Sequence, residues 1–392
     1  MLWRPHHLIR ARTNFDFLGK RKIALALSTA INVLSLIGVF AFGLNFGIDF
    51  EGGIAVQVRA KQGTVHLDEL RATLGSLGVG EVSLQEFGDP STALIRVQRQ
   101  EGNAQCVANA ERVMKRRAGD GWSVKPGPSG TGDVEFNAPR ALDAAGWRDA
   151  VSRVGLTVQE RQLPRGNTNT AKIDMTPEQR AEWCQQVAIK LVEDVIGDKY
   201  ELRGTESVGP KIGEELMHSG IIAVIATLAA ITIYVWFRFE WQFGVGALIA
   251  LLHDVISTLG LFVLLRLDFS LTALAALLTI AGYSINDTVV IFDRVRENMR
   301  RYKKMGLIEL LNFSINETLA RTLMTSGTVF VAVLALVLFG GPVLRSFSIA
   351  MLWGVIVGTY SSIWIASACL VYLKLRPEQL RQGEEKAEKA KA

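Results

Sequence analysis

The stretch IALALSTAINVLSLIGVFAFGLNF, at residues 23–46, contains no charged side chain. A helix that crosses a bilayer needs about 20 consecutive, predominantly apolar residues, and this stretch is long enough. It is too long for the apolar core of a signal peptide, and no small-residue cleavage pattern follows it. We therefore expect a retained membrane span and, with it, a membrane protein.

Five more apolar runs follow, and together with the first they predict six spans. They lie at 219–237, 243–265, 270–292, 318–339 and 346–373. Hydrophobic residues make up 49% of the 392 residues, which excludes an intrinsically disordered chain. The predicted fold class is a polytopic α-helical membrane protein with one large polar domain, at 47–217, between the first two spans.

Basic residues predict the orientation, because short cytoplasmic loops carry an excess of Lys and Arg. They concentrate in the tail 1–22, the loop 293–317 and the tail 374–392, whereas the short loops on the other side contain only Arg266 and Arg345. Both termini are therefore predicted to be cytoplasmic and the polar domain extracytoplasmic. The formal net charge of +5 reflects this topology. A basic stripe with interleaved aromatic residues is missing, so we expect no nucleic-acid partner.

The polar domain contains two segments with the same predicted order of elements. Residues 54–124 and 133–207 each give the pattern β-α-β-β-α-β of a ferredoxin-like unit, and 158–162 is one of the predicted strands. The two segments align at an offset of 77–78 residues, with the breaker-rich linker 125–132 between them. We expect an α+β domain of two ferredoxin-like repeats; two unrelated α+β segments with similar turns are the alternative.

Two of the three cysteines occupy equivalent positions in these repeats. Cys106 and Cys184 lie outside the membrane, where a disulfide can form. Equivalent positions in tandem units need not be close in space, so two separately buried, small apolar residues are the preferred interpretation and a bridge is the alternative. Cys369 lies in the sixth span and is interpreted as a packing residue. No cysteine has metal-ligand spacing, so no metal site is predicted.

Two charged residues lie inside predicted spans, where a charge costs at least about 2.5–3.5 kcal/mol and usually has a function. Asp287 lies near the cytoplasmic end of the fourth span, and Arg321 lies near the start of the fifth. The two could sit at similar depth on neighbouring antiparallel helices. An acid beside a guanidinium can titrate, as a proton carrier must. A static ion pair that only fixes helix packing is the alternative.

Polar residues near this pair are candidates for holding water or relaying protons, or for ordinary hydrogen bonds between helices. They are Asn286, Thr322, Thr325 and Ser326. His253 and Asp254 in the third span could also join the network, although neighbours in sequence are expected to point in different directions on a helix. In the sixth span, Gly354 and Gly358 form a small-xxx-small face that predicts close helix packing.

The junctions between the polar domain and the membrane are rich in residues that let the chain turn. We interpret both clusters as candidate hinges. They comprise Gly47, Asp49, Gly52 and Gly53 after the first span, and Gly209, Pro210 and Gly213 before the second. Segment 307–317 has apolar residues at helical spacing and predicts an interfacial helix along the cytoplasmic surface.

Several enzyme classes are disfavoured because their motifs are missing. The sequence contains no G-x-x-x-x-G-K-[ST] nucleotide loop, no G-x-S-x-G and no H-E-x-x-H. We therefore expect neither an enzyme nor a bound cofactor, and any work must draw on an ion gradient or a partner. Moving one charge through the membrane potential yields about 2.3 kcal/mol per 100 mV.

Long motifs in the correct order are similar to those of the SecF family, membrane subunits of the bacterial Sec accessory translocase. They are GIDFEGG (47–53), VGPKIGEEL (208–216), SINDTVVIFDRVREN (284–298), TLARTLMTSGT (318–328) and FGGPVLRSFS (339–348). The resemblance implies a membrane domain of the resistance-nodulation-division type in the bacterial inner membrane, with the polar domain in the periplasm. It also places the family's proton-pathway aspartate on Asp287 and its arginine on Arg321. The polar domain is longer than is usual for the family.

The same resemblance implies a set of partners and an energy source. The partners are SecD, the SecYEG channel, other Sec accessory subunits, unfolded preprotein substrates and membrane lipid. The energy source is the proton-motive force, although the sequence does not distinguish H⁺ from Na⁺ coupling. Two alternatives remain at this point: a half-transporter of a lipid or small molecule, and a passive assembly scaffold in which Asp287 and Arg321 are structural.

Overall fold

The structure is a computed structural model that describes residues 13–79, 82–97, 104–127, 133–341, 343–373 and 375. The chain divides into two compact units. The membrane unit comprises Met1–Asn45 with Ser219–Ala392, and the α+β unit comprises Phe46–His218. All of the predicted tail 374–392 except residue 375, and most of the tail 1–22, lie outside the described residues.

The six predicted spans are confirmed as helices that are long and apolar enough to cross a membrane. A short 3₁₀ turn, Leu18–Lys20, leads into the first of them. The helices are α1 (Arg21–Phe42), α7 (Pro210–Arg238), α8 (Trp241–Leu264), α9 (Leu271–Arg301), α10 (Leu307–Phe339) and a sixth that begins as α11 (Arg345–Tyr360). Two-residue strands lie at Asn45–Phe46 and Asp268–Phe269.

The expected interfacial helix at 307–317 is not a separate element. Helix α10 runs without a break from Leu307 to Phe339, and α9 continues to Arg301, so that only residues 302–306 connect them. The first turns of α10 bury Leu310, Leu311 and Ile315 in the core of the membrane unit. These side chains pack against protein, and the segment is continuous with the helix of the fifth span.

The sixth helix changes its pitch halfway along its length. After α11 comes a π-helical segment, Ser361–Ala366, and then α12, Ser367–Tyr372. π segments inside helices are rare, and many of them occur at functional sites.

The α+β unit contains helices on two antiparallel sheets. Its helices are α2 (Ile48–Glu51), α3 (Leu67–Gly75), α4 (Ala104–Ala118), α5 (Ala144–Ser152) and α6 (Pro177–Ile196). The first sheet has the order β2 (Val82–Phe87), β3 (Asp89–Val97), β1 (Gly53–Ala60), β7 (Tyr200–Val208). The second has the order β4 (Ser123–Pro126), β5 (Val134–Leu142), β6 (Thr168–Ile173).

The two predicted repeats are not self-contained, because they exchange their last strands. Strand β7, from the second predicted repeat, pairs with β1 of the first, with Val56 opposite Thr205. Strand β4, from the first, pairs with β5 of the second, with Val124 opposite Phe136. The order of elements is consistent with a duplication, but the boundary between 124 and 133 separates no folded units.

The strand predicted at 158–162 is wrong. Residues Glu160–Gln162 form a 3₁₀ turn, and within the described chain the second sheet has three strands where the first has four. Leu156, Val158 and Leu163 are buried, so this segment fills the core with side chains without adding a strand. Val158 is the one apolar residue of the five at 158–162, so this stretch contains no apolar alternation that would support a strand.

The exchange also places α4 beside α6, and this contact corrects the preferred interpretation of the cysteines. Cys106 on α4 and Cys184 on α6 form a disulfide, with their Cα atoms 5.5 Å apart. At the other end of α4, Arg117 donates hydrogen bonds to the carboxylate of Asp194, which raises the pKa of the guanidinium. Equivalent positions meet because the equivalent helices pack side by side.

Candidate functional site

The candidate site is a network of polar side chains buried between α8, α9, α10 and the sixth helix. Asp287 on α9 is 3% exposed. Its carboxylate accepts a hydrogen bond from Ser326 Oγ at 3.2 Å and a longer one from Thr325 Oγ1 at 3.5 Å. The Ser326 hydroxyl lies 2.7 Å from Thr359 Oγ1, so that hydroxyls from two further helices surround this acid.

Arg321 does not form an ion pair with Asp287, which was the structural alternative for these two residues. The side chain is exposed and has no ion pair with any described residue. Its backbone carbonyl accepts a hydrogen bond from Thr325, one turn further along α10, and the Thr325 hydroxyl also contacts Asp287. The hydrogen bonds to the Asp287 carboxylate come from hydroxyls.

The other predicted pathway residues divide between the inside and the outside of the network. Thr325 contacts Asp287, and Thr322 is 1% exposed with its hydroxyl oxygen lacking a hydrogen-bond partner among the described residues. Asn286 is exposed and points away from Asp287, because neighbouring residues on a helix face different directions. The structure thus supplies no contact for Asn286 in this network.

A second acid lies deeper in the same unit. Asp254 on α8 is fully buried. Its Oδ2 accepts hydrogen bonds from Ser284 Oγ at 2.5 Å and Ser361 Oγ at 2.9 Å. Its Oδ1 lies 3.0 Å from Nδ1 of His253. The expectation that His253 and Asp254 point in different directions was wrong for their polar atoms, since the imidazole turns back to meet the carboxylate.

Close packing of α9 against the sixth helix brings these hydroxyls together. A Cβ on Gly354 would lie 2.3 Å from Ile280 Cγ1, and one on Gly358 would lie 3.1 Å from Ser284 Cβ. The predicted packing face at 354 and 358 is therefore confirmed. Without side chains at these two positions, Ser284 can approach the start of the π segment.

The π segment adds hydroxyls that reach α9. Ser362 Oγ lies 2.8 Å from Thr288 Oγ1 and donates to the backbone carbonyl of Ser284 at 3.2 Å. Each hydroxyl can donate one hydrogen bond and accept others. A chain of such groups beside two buried carboxyls has the composition of a proton relay. Within the ranges that the structure describes, no group of three or more His, Cys, Asp or Glu side chains could hold a metal ion.

The two glycine-rich clusters meet inside the α+β unit. Gly47 precedes α2, Asp49 lies within it, and Gly52 and Gly53 follow with φ values of +72° and +127°, which side chains disfavour. Gly213, in the first turns of α7, lies against this turn: a Cβ there would be 2.8 Å from the carbonyl oxygen of Phe50. The candidate hinge residues Gly209 and Pro210 come just before, at the start of α7.

Comparisons with known proteins match both units. The family model "Protein export membrane protein SecD/SecF, C-terminal" matches residues 188–376, and "SecD/SecF GG Motif" matches residues 37–64. Relatives with the name protein translocase subunit SecF include one from Rickettsia bellii, 37% identical over 370 residues, which cover 93% of this chain and 95% of the relative. Another, from Cereibacter sphaeroides, is 36% identical, covering 92% of this chain and 90% of the relative.

Two solved structures of SecDF are similar to this chain in fold. SecDF of Thermus thermophilus, described as a translocon-associated membrane protein, is 31% identical with a TM-score of 0.66. A structure of SecDF in a super-membrane-facing form is 30% identical with a TM-score of 0.54. The matches cover 94% and 96% of this chain, but the chain spans only 40% of the length of each SecDF chain.

Proposed function

Because this chain belongs to the SecF family of protein translocase subunits, we propose that it couples an ion gradient to the late stage of protein export. As an accessory subunit of the Sec translocase in the inner membrane, it works on preproteins that have already entered the channel. The resemblance expected from the sequence motifs is confirmed, whereas gradient coupling remains the proposal.

The observation that carries the proposal is Asp287. It is a buried acid without an ion-pair partner among the described residues, held only by hydroxyls from α10. Ionising such a group in an apolar interior is costly unless its surroundings rearrange, so a change of protonation favours a different helix arrangement. A few protons, at about 2.3 kcal/mol per charge and 100 mV, supply enough free energy for such a cycle.

A SecD-type subunit is the proposed partner in the membrane. The chain aligns with 40% of the SecDF chain, and the remaining 60% of that chain is long enough to contain a second set of membrane helices. Few side chains of α1, α7 and α10 are buried by the rest of the membrane unit, so these helices have apolar faces for a partner or for lipid. The SecYEG channel, other Sec accessory subunits and unfolded preproteins complete the proposed surroundings.

The proposed orientation places both termini in the cytoplasm and the α+β unit in the periplasm. It is supported by the distribution of Lys and Arg, which concentrate in 1–22, 293–317 and 374–392. In this orientation the α+β unit faces emerging preproteins. The glycine clusters at 47–53 and 209–213 are then the proposed hinges through which changes in the membrane helices move it.

The test of the proposal is the variant Asp287→Asn in membrane vesicles. Asparagine has nearly the same shape but cannot carry the proton, so we expect gradient-stimulated export of a secretory protein to fall to the level without a gradient. Pull-down of the partner subunit checks assembly. Asp293→Asn is the matched control, because Asp293 lies on the same helix and is exposed beside Arg238.

Two outcomes separate coupling through Asp287 from a passive scaffold. Loss of stimulation in Asp287→Asn alone, with assembly intact, supports coupling through this acid. Normal stimulation in both variants contradicts it and leaves a passive scaffold. Repeating the measurement with a sodium gradient in place of a proton gradient identifies the coupling ion.

A further inference from the structure

His253 and Asp254 are buried titratable groups that the proposed mechanism does not use. Asp254 is completely buried and His253 is 4% exposed. A fully buried acid is expensive in a membrane protein, and such residues are retained mostly where they serve a function. Three side chains converge on Asp254, from α8, α9 and the π segment.

The imidazole of His253 has one nitrogen engaged and one free. Nδ1 lies 3.0 Å from the carboxylate of Asp254, while Nε2 is buried without a hydrogen-bond partner among the described residues. Buried polar atoms are normally satisfied, and an unsatisfied one costs about 1–3 kcal/mol. An unsatisfied ring nitrogen opposite a bound carboxylate is suited to exchanging protons with water that reaches it in another state of the cycle.

The surroundings of this pair contain hydroxyls and no basic side chain in contact. From α9, Ser284 faces Asp254, with Asp287 and Tyr283 nearby on the same helix. From the sixth helix, Ser361 donates to Asp254, and the Tyr360 ring lies 6.3 Å from that of His253. From α1, the carbonyl of Ala24 accepts the Tyr360 hydroxyl. None of the described Lys or Arg residues forms an ion pair with Asp254.

Two elements connect Asp254 with Asp287. On α9, Ser284 and Asp287 are three residues apart and therefore share one face of the helix. On the sixth helix, Thr359 reaches Ser326, which binds Asp287, and Ser361 reaches Asp254. The groups that bind one acid therefore lie next to those that bind the other on these two helices, although the acids share no hydrogen-bond partner among the described residues.

We propose that His253 and Asp254 form a second proton-binding site of the membrane unit, coupled to Asp287 through Ser284 and the hydroxyls of the sixth helix. This proposal rests on the proposed function of Asp287. A hydronium ion donates a proton to Nε2 of neutral His253 and becomes water, and the Nδ1 proton passes to the Asp254 carboxylate. The histidine is again neutral and the aspartic acid carries the proton, so charge and atoms balance.

Infrared difference spectroscopy of the full chain in proteoliposomes, recorded across a pH titration, tests the proposal. Protonated carboxyl groups have their own C=O stretching band, and isotope exchange identifies it. We expect two such bands from buried acids. Asp254→Asn removes one, and Asp287→Asn removes the other while shifting the pH at which the Asp254 band appears.

Further variants keep the test meaningful if Asp254→Asn fails to fold. Ser284→Ala keeps the acid but removes a hydrogen bond to it, so the frequency of the Asp254 band should shift. His253→Gln should change the pH at which the Asp254 band appears. A spectrum in which Asp254→Asn removes no band, or in which His253→Gln and Ser284→Ala change nothing, overturns the proposal.

These spectra are independent of export. If Asp287→Asn leaves gradient-driven export intact while the Asp254 band is present and sensitive to His253→Gln, the proposed function fails and the second proton-binding site stands. If export depends on Asp287 but no band belongs to Asp254, only the second site is overturned.

Discussion

At the scale of single residues, the structure changes the interpretation of the intramembrane charges. Asp287 was predicted to be a buried acid near Arg321, and it is buried, but its hydrogen bonds come from Ser326 and Thr325. An acid surrounded by hydroxyls can hold or release a proton without breaking an ion pair. This environment suits a proton-carrying role better than a static salt bridge does.

Gly213 supports a prediction at this scale. A methyl group there would meet the Phe50 carbonyl oxygen at 2.8 Å and the Gly52 nitrogen at 3.0 Å, both of them backbone atoms that cannot rotate away. We expect Gly213→Ala to destabilise the α+β unit by about 1–3 kcal/mol, as overpacking commonly does. Denaturant unfolding measures the loss, and the vesicle export assay shows whether activity falls with it.

Gly209→Ala is the matched control for this prediction. Its Cβ would have Ile212 Cδ1 at 3.9 Å as its nearest neighbour, which is ordinary van der Waals contact. It should therefore change stability little. Equal effects of the two substitutions would show that loss of glycine flexibility, and not the contact with Phe50, matters at this junction.

At the scale of elements, the important contact is that of α4 with α6. These helices occupy equivalent places in the two predicted repeats, and the disulfide between Cys106 and Cys184 joins them. Arg117 on α4 adds ion pairs with Glu193 and Asp194 on α6. These contacts add to a hydrophobic core that contains residues of both sheets.

Removing the disulfide should therefore weaken the α+β unit measurably. The bridge closes a loop with a sequence separation of 78 residues. In the chain-entropy description a loop of this size contributes roughly 4 kcal/mol. We expect the double variant C106S/C184S to lower the midpoint of denaturant unfolding, and a reducing agent to do the same to the parent chain.

Cys369→Ser is the control for the disulfide, because Cys369 is the one free cysteine that the described chain contains. It should leave the midpoint nearly unchanged, and a reducing agent should still lower it. If reduction and C106S/C184S both leave the unfolding of the α+β unit unaltered, helix packing alone holds α4 on α6.

At the scale of the whole molecule, the exchange of strands makes the α+β unit a single folding unit. Strand β1 pairs with β3 and β7, and β5 pairs with β4 and β6, so each predicted repeat on its own lacks one of the two partners of its first strand. Backbone groups at an unpaired strand edge lose their ladder hydrogen bonds and invite aggregation.

Fragments test this arrangement. We expect 46–218 to fold and to unfold cooperatively on its own, whereas 54–124 and 133–207 expressed separately should remain unfolded or aggregate. Circular dichroism during thermal unfolding distinguishes the two behaviours. Mixing the two short fragments should restore structure if the exchange is correct, and cooperative unfolding of 54–124 alone would contradict it.

Local patterns in the sequence were sufficient for the six spans, for most elements of the α+β unit and for Asp287 as a buried acid. Hydropathy and helical period depend on neighbours within a few turns, and a membrane permits few ways to satisfy the backbone. The glycine face at 354 and 358 was also predictable from a local pattern, because small residues four positions apart permit close helix packing.

Only the tertiary structure decided which distant groups meet. The pairing of β1 with β7, the bridge from Cys106 to Cys184 and the convergence of Ser284 and Ser361 on Asp254 all join residues far apart in the chain. Many such pairings satisfy the same local pattern equally well. The choice among them depends on side-chain shape and hydrogen bonding in the packed interior, which no short stretch of sequence contains.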